Sequence, residues 1–309
     1  MTRSRQAMEK TTWKKRWTRI RQYRFIYLLM IPVVVYFVIF SYYPMGLGIY
    51  NSLQEIKLLG KTVYVGLKNY QTVLASPVYA QAFVNTLVVG IGTFLLQFLW
   101  GLSLAIVLNE LRRKVVRSAF QTVSYIPNLL SWSVVASIWI TILSPTGLAN
   151  GLIRLFGGDS FQKIVFMAER SLARPIMIFT GAWKSAGYTA ALFLAAIVSI
   201  DPTLYEAAEM DGATRLQEIG RITLPAVIPT VKVVVVLGFM GILRNFDQIY
   251  VMANSYILDR VRNLLYLIYN DGIVNFKIGP ASAAATLVLL ATMVLSFTIR
   301  RLIHYDQLG

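Results

Sequence analysis

Six apolar runs, each close to the thickness of a bilayer core, decide what this chain can fold into. They lie at about residues 25–43, 82–108, 123–143, 175–200, 225–243 and 281–299. A helix needs roughly 20 apolar residues to cross a hydrocarbon layer ~30 Å thick. Inside that layer no water meets the backbone polar groups, and a helix satisfies its own. The expected fold is therefore an all-α membrane protein with about six transmembrane helices. The composition agrees, with 56% hydrophobic residues and a mean hydropathy of +0.59.

The residue inventory removes several functions. The chain has no cysteine, so disulfides, thiolate metal sites and thiol chemistry are excluded. His304, near the end of the sequence, is its one histidine, which removes zinc clusters and histidine-based catalytic triads. No acid falls within the six runs, so an intramembrane carboxylate enzyme has no material to work with. The net charge of +16 suggests nucleic acid at first sight, but its distribution points to a membrane. Nine of the basic residues lie in residues 1–24, interleaved with Trp13, Trp17 and Tyr23, immediately before the first span. That segment reads as a basic cytoplasmic N-terminal arm lying on anionic headgroups. It lacks the apolar core and small-residue cleavage site of a signal peptide.

Basic residues also set the orientation. With the N-terminus inside, the cytoplasmic segments hold 17 Lys or Arg, and the longer outer segments hold 11. The density favours that arrangement and places both termini in the cytoplasm. It also makes residues 201–225, between the fourth and fifth runs, cytoplasmic. Five of the chain's 14 acids fall between Asp201 and Glu218. Asp201-Pro202 predicts a capped helix start, Gly212 a left-handed stop, and Thr214-x-x-Gln217 a second, boxed start.

Within this polar island, Glu206-Ala207-Ala208, then Gly212, then Ile222-x-Leu224-Pro225 resembles the signature loop of binding-protein-dependent ABC importer permeases. All seven positions match at the family's spacing. The resemblance implies a type I permease fold over residues 25–309, with 201–225 as a coupling loop that docks into a groove on a separate ATPase. Glu206, Ala207, Ala208, Asp211 and Gly212 would serve that coupling. It implies two ATPase subunits that bind ATP and Mg, a second permease chain of different sequence, and an extracytoplasmic solute-binding protein, all at a bacterial inner membrane. The chain itself would bind no cofactor and catalyse no covalent step. Gly60-Lys61-Thr62 has the ending of a P-loop, but position 55 is Glu where Gly is required, so nucleotide binding belongs to another chain.

Residues that meet cargo are sought among polar groups in the spans. Lys184 lies nine residues past Pro175, about 13 Å down a helix. A lysine facing lipid at that depth costs roughly 2.5–3.5 kcal/mol. With no carboxylate in the spans, the expectation is that water, a partner permease or an anionic cargo solvates it. Trp183 and Tyr188 flank it and can stack on a sugar, while Lys232 sits near a span end and reads as structural. Arg244, Asn245 and Asp247 close the fifth span, and Asn245-Phe246 resembles a pattern near the substrate path of sugar-importing permeases. Asn254-Ser255 departs from the Gly-Gly-Pro that often follows there. The Trp183–Tyr188 run and the basic arm resemble the oligosaccharide and polysaccharide branch, with an acidic polysaccharide such as alginate as the specific expectation. A neutral oligosaccharide or other small solute is the alternative, and an ATP-independent secondary transporter the more distant one. Ala191, Ala195 and Ser199 recur at i+4 and read as a helix-contact stripe.

Because the chain has no cysteine, topology is directly testable. Gln54→Cys should react with an impermeant thiol reagent from outside the cell, and cysteines in 206–224 should react only from the cytoplasm. Labelling of position 54 from the cytoplasmic side alone would invert the arrangement.

Overall fold

The computed structural model describes residues 21–57, 60–111, 113–157 and 162–302. The basic arm lies outside the described residues except for its last four. Helices dominate: α1 (Arg24–Ser52), α2 (Lys68–Ala75), α3 (Pro77–Glu110), α4 (Lys114–Leu129), α5 (Trp132–Ile142), α6 (Leu148–Gly157), α7 (Ala173–Val198), α8 (Pro202–Met210), α9 (Arg215–Ala226), α10 (Ile228–Ile242), α11 (Asp247–Met252), α12 (Leu258–Val261), α13 (Leu264–Val274) and α14 (Ile278–Leu302). A two-residue antiparallel ladder, Gln54–Glu55 with Val63–Tyr64, closes the loop after α1.

Among the described residues three helices, α1, α3 and α14, are long and apolar enough to span singly, and three bent pairs bring the number to six when each is taken as one span. The expected third span is one of these pairs: α4 and α5 meet at 104°. Pro127 sits in the last turn of α4, Leu130 is extended, and Ser131 restarts the helix by accepting from the Val134 N–H at 3.4 Å. The α7–α8 pair bends by 70° and the α9–α10 pair by 61°. Within the expected fifth span the helix breaks at Val227 and resumes at Ile228.

Prolines shape two further elements. The first span runs on to Ser52, past the expected end at Tyr43. Pro44 lacks an N–H, and the helix widens to π turns over Val38–Tyr42 just before it. The same wide turn, Ile219–Thr223, precedes Pro225 in the signature loop. A π turn rearranges the carbonyls that a proline leaves without a donor, so the helix continues through a residue that otherwise interrupts it.

The core is the seam of α3, α7 and α10. Phe94, Phe98, Phe193 and Phe239 interlock there, with centroid separations of 6.0 Å (Phe94–Phe98), 5.3 Å (Phe94–Phe239) and 5.4 Å (Phe98–Phe193). Ala105, Leu108, Ala190 and Ile197 carry the packing toward the C-terminal ends of α3 and α7. The buried face of α7 is therefore Ala182, Ala186, Ala190, Phe193 and Ile197, whereas Ala195 and Ser199 are exposed and Ala191 half-buried. The small-residue stripe chosen from i+4 spacing lies off the intrachain contact, because spacing fixes a face but not which face turns inward. Toward the opposite end, Asn85 of α3 knots three segments. Its amide donates to the carbonyls of Asp259 (3.1 Å) and Arg262 (3.0 Å) and accepts from the Arg174 guanidinium at 2.8 Å.

Gly101 marks a close approach of α3 to α7: a Cβ there would lie 2.7 Å from Cβ of Thr189. Gly101→Val should therefore overpack α3 against α7 and destabilise the subunit by about 1–3 kcal/mol. A lowered thermal unfolding midpoint of the purified protein in detergent is the measurement, and an unchanged midpoint would contradict the seam.

Candidate functional site

Two regions concentrate the polar chemistry. The first is the loop over residues 201–225, between the fourth and fifth apolar runs. Asp201 accepts the Thr203 N–H at 2.9 Å, the expected N-cap, and that bond holds its carboxyl below the usual aspartate range. Glu206 and Ala207 are exposed on α8, Ala208 is half-buried, and Asp211 and Gly212 are exposed just beyond it. Gly212 has φ of +78°, the left-handed value expected of a helix stop. The Thr214–Gln217 capping box is formed, with Gln217 Oε1 accepting the Thr214 N–H at 2.7 Å. The hydroxyls of Tyr205 and Thr223, 2.9 Å apart, bond across the loop and tie α8 to the widened turn before Pro225.

Sequence reading did not single out Arg215, which sits among three carboxylates. It pairs with Glu218 at 2.7 Å, Glu209 at 3.2 Å and Glu110 at 3.9 Å. The Glu218 hydrogen bond, then the charges of Glu218, Glu110 and Glu209, push its pKa up. It is half-exposed, so each pair is weak alone, but together they connect α8, α9 and the cytoplasmic end of α3. Beside them Met210 (89% exposed) and Leu216 (81% exposed) project into solvent. An apolar pair set among carboxylates at a loop tip is suited to enter a groove with basic walls.

The second region is a cavity of about 320 Å³ at the middle of the helix bundle. It lies between α3, the α4–α5 break, α7, α10 and α11. Thr93, Gln97, Asn128, Trp132, Tyr188 and Gln248 supply its main polar and aromatic lining. No lining residue carries a charge. Gln248 is fully buried and anchored: it donates to Met177 O (2.7 Å) and Thr180 Oγ1 (2.9 Å) and accepts from Asn245 Nδ2 (2.8 Å). Thr93 Oγ1 is buried without a hydrogen-bond partner, which leaves one hydroxyl in the cavity wall free for a polar ligand.

Of the six residues expected on the pathway, Tyr188 and Asn245 line this cavity, and Trp183, Lys184, Arg244 and Asp247 do not. Trp183 stacks edge-on with Trp139, centroids 5.3 Å apart. Arg244 and Asp247 are exposed, and neither forms an ion pair among the described residues. The expectation for Lys184 requires correction. It is only 8% exposed, and its Nζ donates to three backbone carbonyls of this same chain: Pro127 (3.1 Å), Asn128 (3.0 Å) and Leu130 (2.8 Å). Looking only for carboxylates missed them, because a broken helix also exposes carbonyls that accept from an ammonium.

Residues 97–305 match the family described as "Binding-protein-dependent transport system inner membrane component". The chain belongs to that family. The permease resembles the polygalacturonan/rhamnogalacturonan transport system permease protein YteP of Bacillus subtilis (strain 168), at 35% identity over 77% of this chain and 74% of the relative. It also resembles the arabinooligosaccharides transport system permease protein AraP of the same organism, at 30% identity over 87% and 85%. Among solved structures, a bacterial alginate ABC transporter in complex with an alginate pentasaccharide-bound periplasmic protein contains a chain that superposes with a TM-score of 0.84. The two are 30% identical over 92% of this chain and 96% of that one. The type I ABC importer permease fold is thereby established for this subunit.

The loop geometry generates a test. Gly212→Val should cut transport and cargo-stimulated ATP hydrolysis by the assembled importer at least tenfold, since a β-branched residue is poorly tolerated at positive φ. Glu206→Lys should weaken copurification of the ATPase. Wild-type values in both variants would remove the loop from coupling.

Proposed function

We propose that this permease carries an acidic oligosaccharide or polysaccharide, of the alginate or polygalacturonan type, into the cytoplasm. The observation that carries a saccharide is the cavity. Aromatic faces at Trp132 and Tyr188 suit the apolar face of a sugar ring, while the amides of Gln97, Asn128 and Asn245 suit its hydroxyls. The lining offers many modest hydrogen bonds and no fixed charge, which favours passage over retention. The acidic character is supported by two relatives, the polygalacturonan/rhamnogalacturonan permease and the alginate importer. Lys184 no longer supports it, since its ammonium is already occupied.

In this proposal Tyr188 and Asn245 contact cargo, with Arg244 and Asp247 beside the outer end of α10. Glu206, Ala207, Ala208, Asp211 and Gly212 face an ATPase. The complete importer has this chain, a different second permease, two ATPase subunits that hold ATP and Mg, and a periplasmic binding protein. It sits in a bacterial inner membrane with both termini inside. The periplasmic protein in the alginate complex supports the last of those partners. A neutral oligosaccharide is a second reading, favoured by the uncharged lining and by the arabinooligosaccharide relative.

Uptake by vesicles carrying the reconstituted importer separates the two. A uronate pentasaccharide should be transported and should compete with alginate fragments, and a neutral pentasaccharide of equal length should not. Asn245→Ala should raise the KM for the uronate about tenfold, as the loss of a half-buried hydrogen-bonding group in the cavity wall implies. Preferred uptake of the neutral sugar would establish the second reading, and uptake of neither would remove the saccharide class.

A further inference from the structure

Three observations converge where α7 crosses the broken span. The first is the acceptor set of Lys184. The carbonyls of Pro127, Asn128 and Leu130 belong to the end of α4 and the residue after it. A helix end leaves its last four carbonyls without partners, and at membrane depth water does not replace them. An ammonium has three donors, and here three carbonyls take them. A cation is also favoured at this end of the helix dipole. The second observation is Gly187, one turn further along α7. A Cβ there would fall 1.9 Å from the carbonyl oxygen of Ser124, so the two backbones touch. The third is that the break itself supplies cavity residues: Asn128 precedes it and Trp132 follows it. The Trp132 ring lies 5.6 Å from Lys184 Nζ, within cation–π range.

We propose that Lys184 is a positioning residue for cargo recognition. Its ammonium takes the place of the amide donors missing at the α4–α5 elbow, and Gly187 seats the elbow against α7. Together they fix the directions in which Asn128 and Trp132 enter the cavity. Lys184 thus acts on cargo through the elbow and not through its charge. Neutral and acidic cargo are affected alike when it is lost. The cargo half of this inference rests on the cavity being the saccharide path, and the elbow half does not.

The test uses the complete importer in lipid vesicles. Spin labels at Phe120→Cys and Ile140→Cys, both exposed positions on opposite arms of the elbow, report its angle without any cargo. Lys184→Met keeps much of the length and removes the donors. It should broaden the label distance distribution and raise the KM of whichever pentasaccharide is carried about tenfold, with the maximal rate within about twofold. Lys184→Arg keeps a cationic donor at the helix end and should restore a narrow distribution. Gly187→Ala, with the lysine intact, should broaden the distribution and raise the KM in the same way. An unchanged distribution in Lys184→Met overturns the proposal. So does selective loss of acidic cargo with a normal distribution, which would assign the lysine to charge guidance. If Lys184→Met fails to assemble, Lys184→Arg and Gly187→Ala decide: a broadened Arg variant or an unchanged Ala variant overturns the clamp. If the saccharide reading itself is wrong, the wild type carries neither pentasaccharide while the label distances still report on the elbow.

Discussion

A backbone carbonyl in hydrocarbon must find a donor within the protein, and this fold is organised by how it meets that demand at each place where a helix stops or changes direction. A straight helix meets it automatically. Among the described residues, α1, α3 and α14 are long and apolar enough to cross alone, and the other candidate spans are bent pairs. At the α4–α5 break the donor is a lysine ammonium. At Pro44 a local widening of the helix redirects the carbonyls to other backbone donors. At the outer ends of α3 and α7, an asparagine and an arginine tie down the loop over Asp259 to Arg262. Each solution uses a polar side chain or an irregular turn where a hydropathy profile registers a flaw.

The same flaws make the cavity. Had α4 and α5 formed one rod, Asn128 and Trp132 would lie on a continuous surface of the bundle. The 104° turn brings both to the space that α3, α7 and α10 leave between them. The uncharged lining follows from the same economy of solvation. The basic group nearest the cavity is used to hold the backbone, so recognition falls to amides, hydroxyls and aromatic faces.

Apolar run length carried the helical membrane architecture from sequence, and the signature loop carried the family. Asp201, Gly212 and the Thr214–Gln217 box take the conformations their residue types require, because caps are local chemistry. Legibility ended where a contact depends on a distant segment. Lys184 was visible as costly, but its acceptors are backbone atoms more than fifty positions away, and carbonyls carry no signal in a sequence. Gln97 and Gln248 are ordinary polar residues until the fold points them at one space. Arg215 gathers carboxylates from three elements, only two of which are neighbours in sequence.

The longest helix has a mechanical meaning. α3 is unbroken from Pro77 to Glu110, and from Asn85 to Glu110 it extends about 38 Å at 1.5 Å per residue. One end is knotted to the outer loop through Asn85, and the other is tied to the signature loop through Arg215. A rod without a joint does not absorb a push by folding. Thr93 and Gln97 of the cavity wall stand on that same rod, so one unbroken element carries the outer knot, the wall of the cavity and the contact with the signature loop.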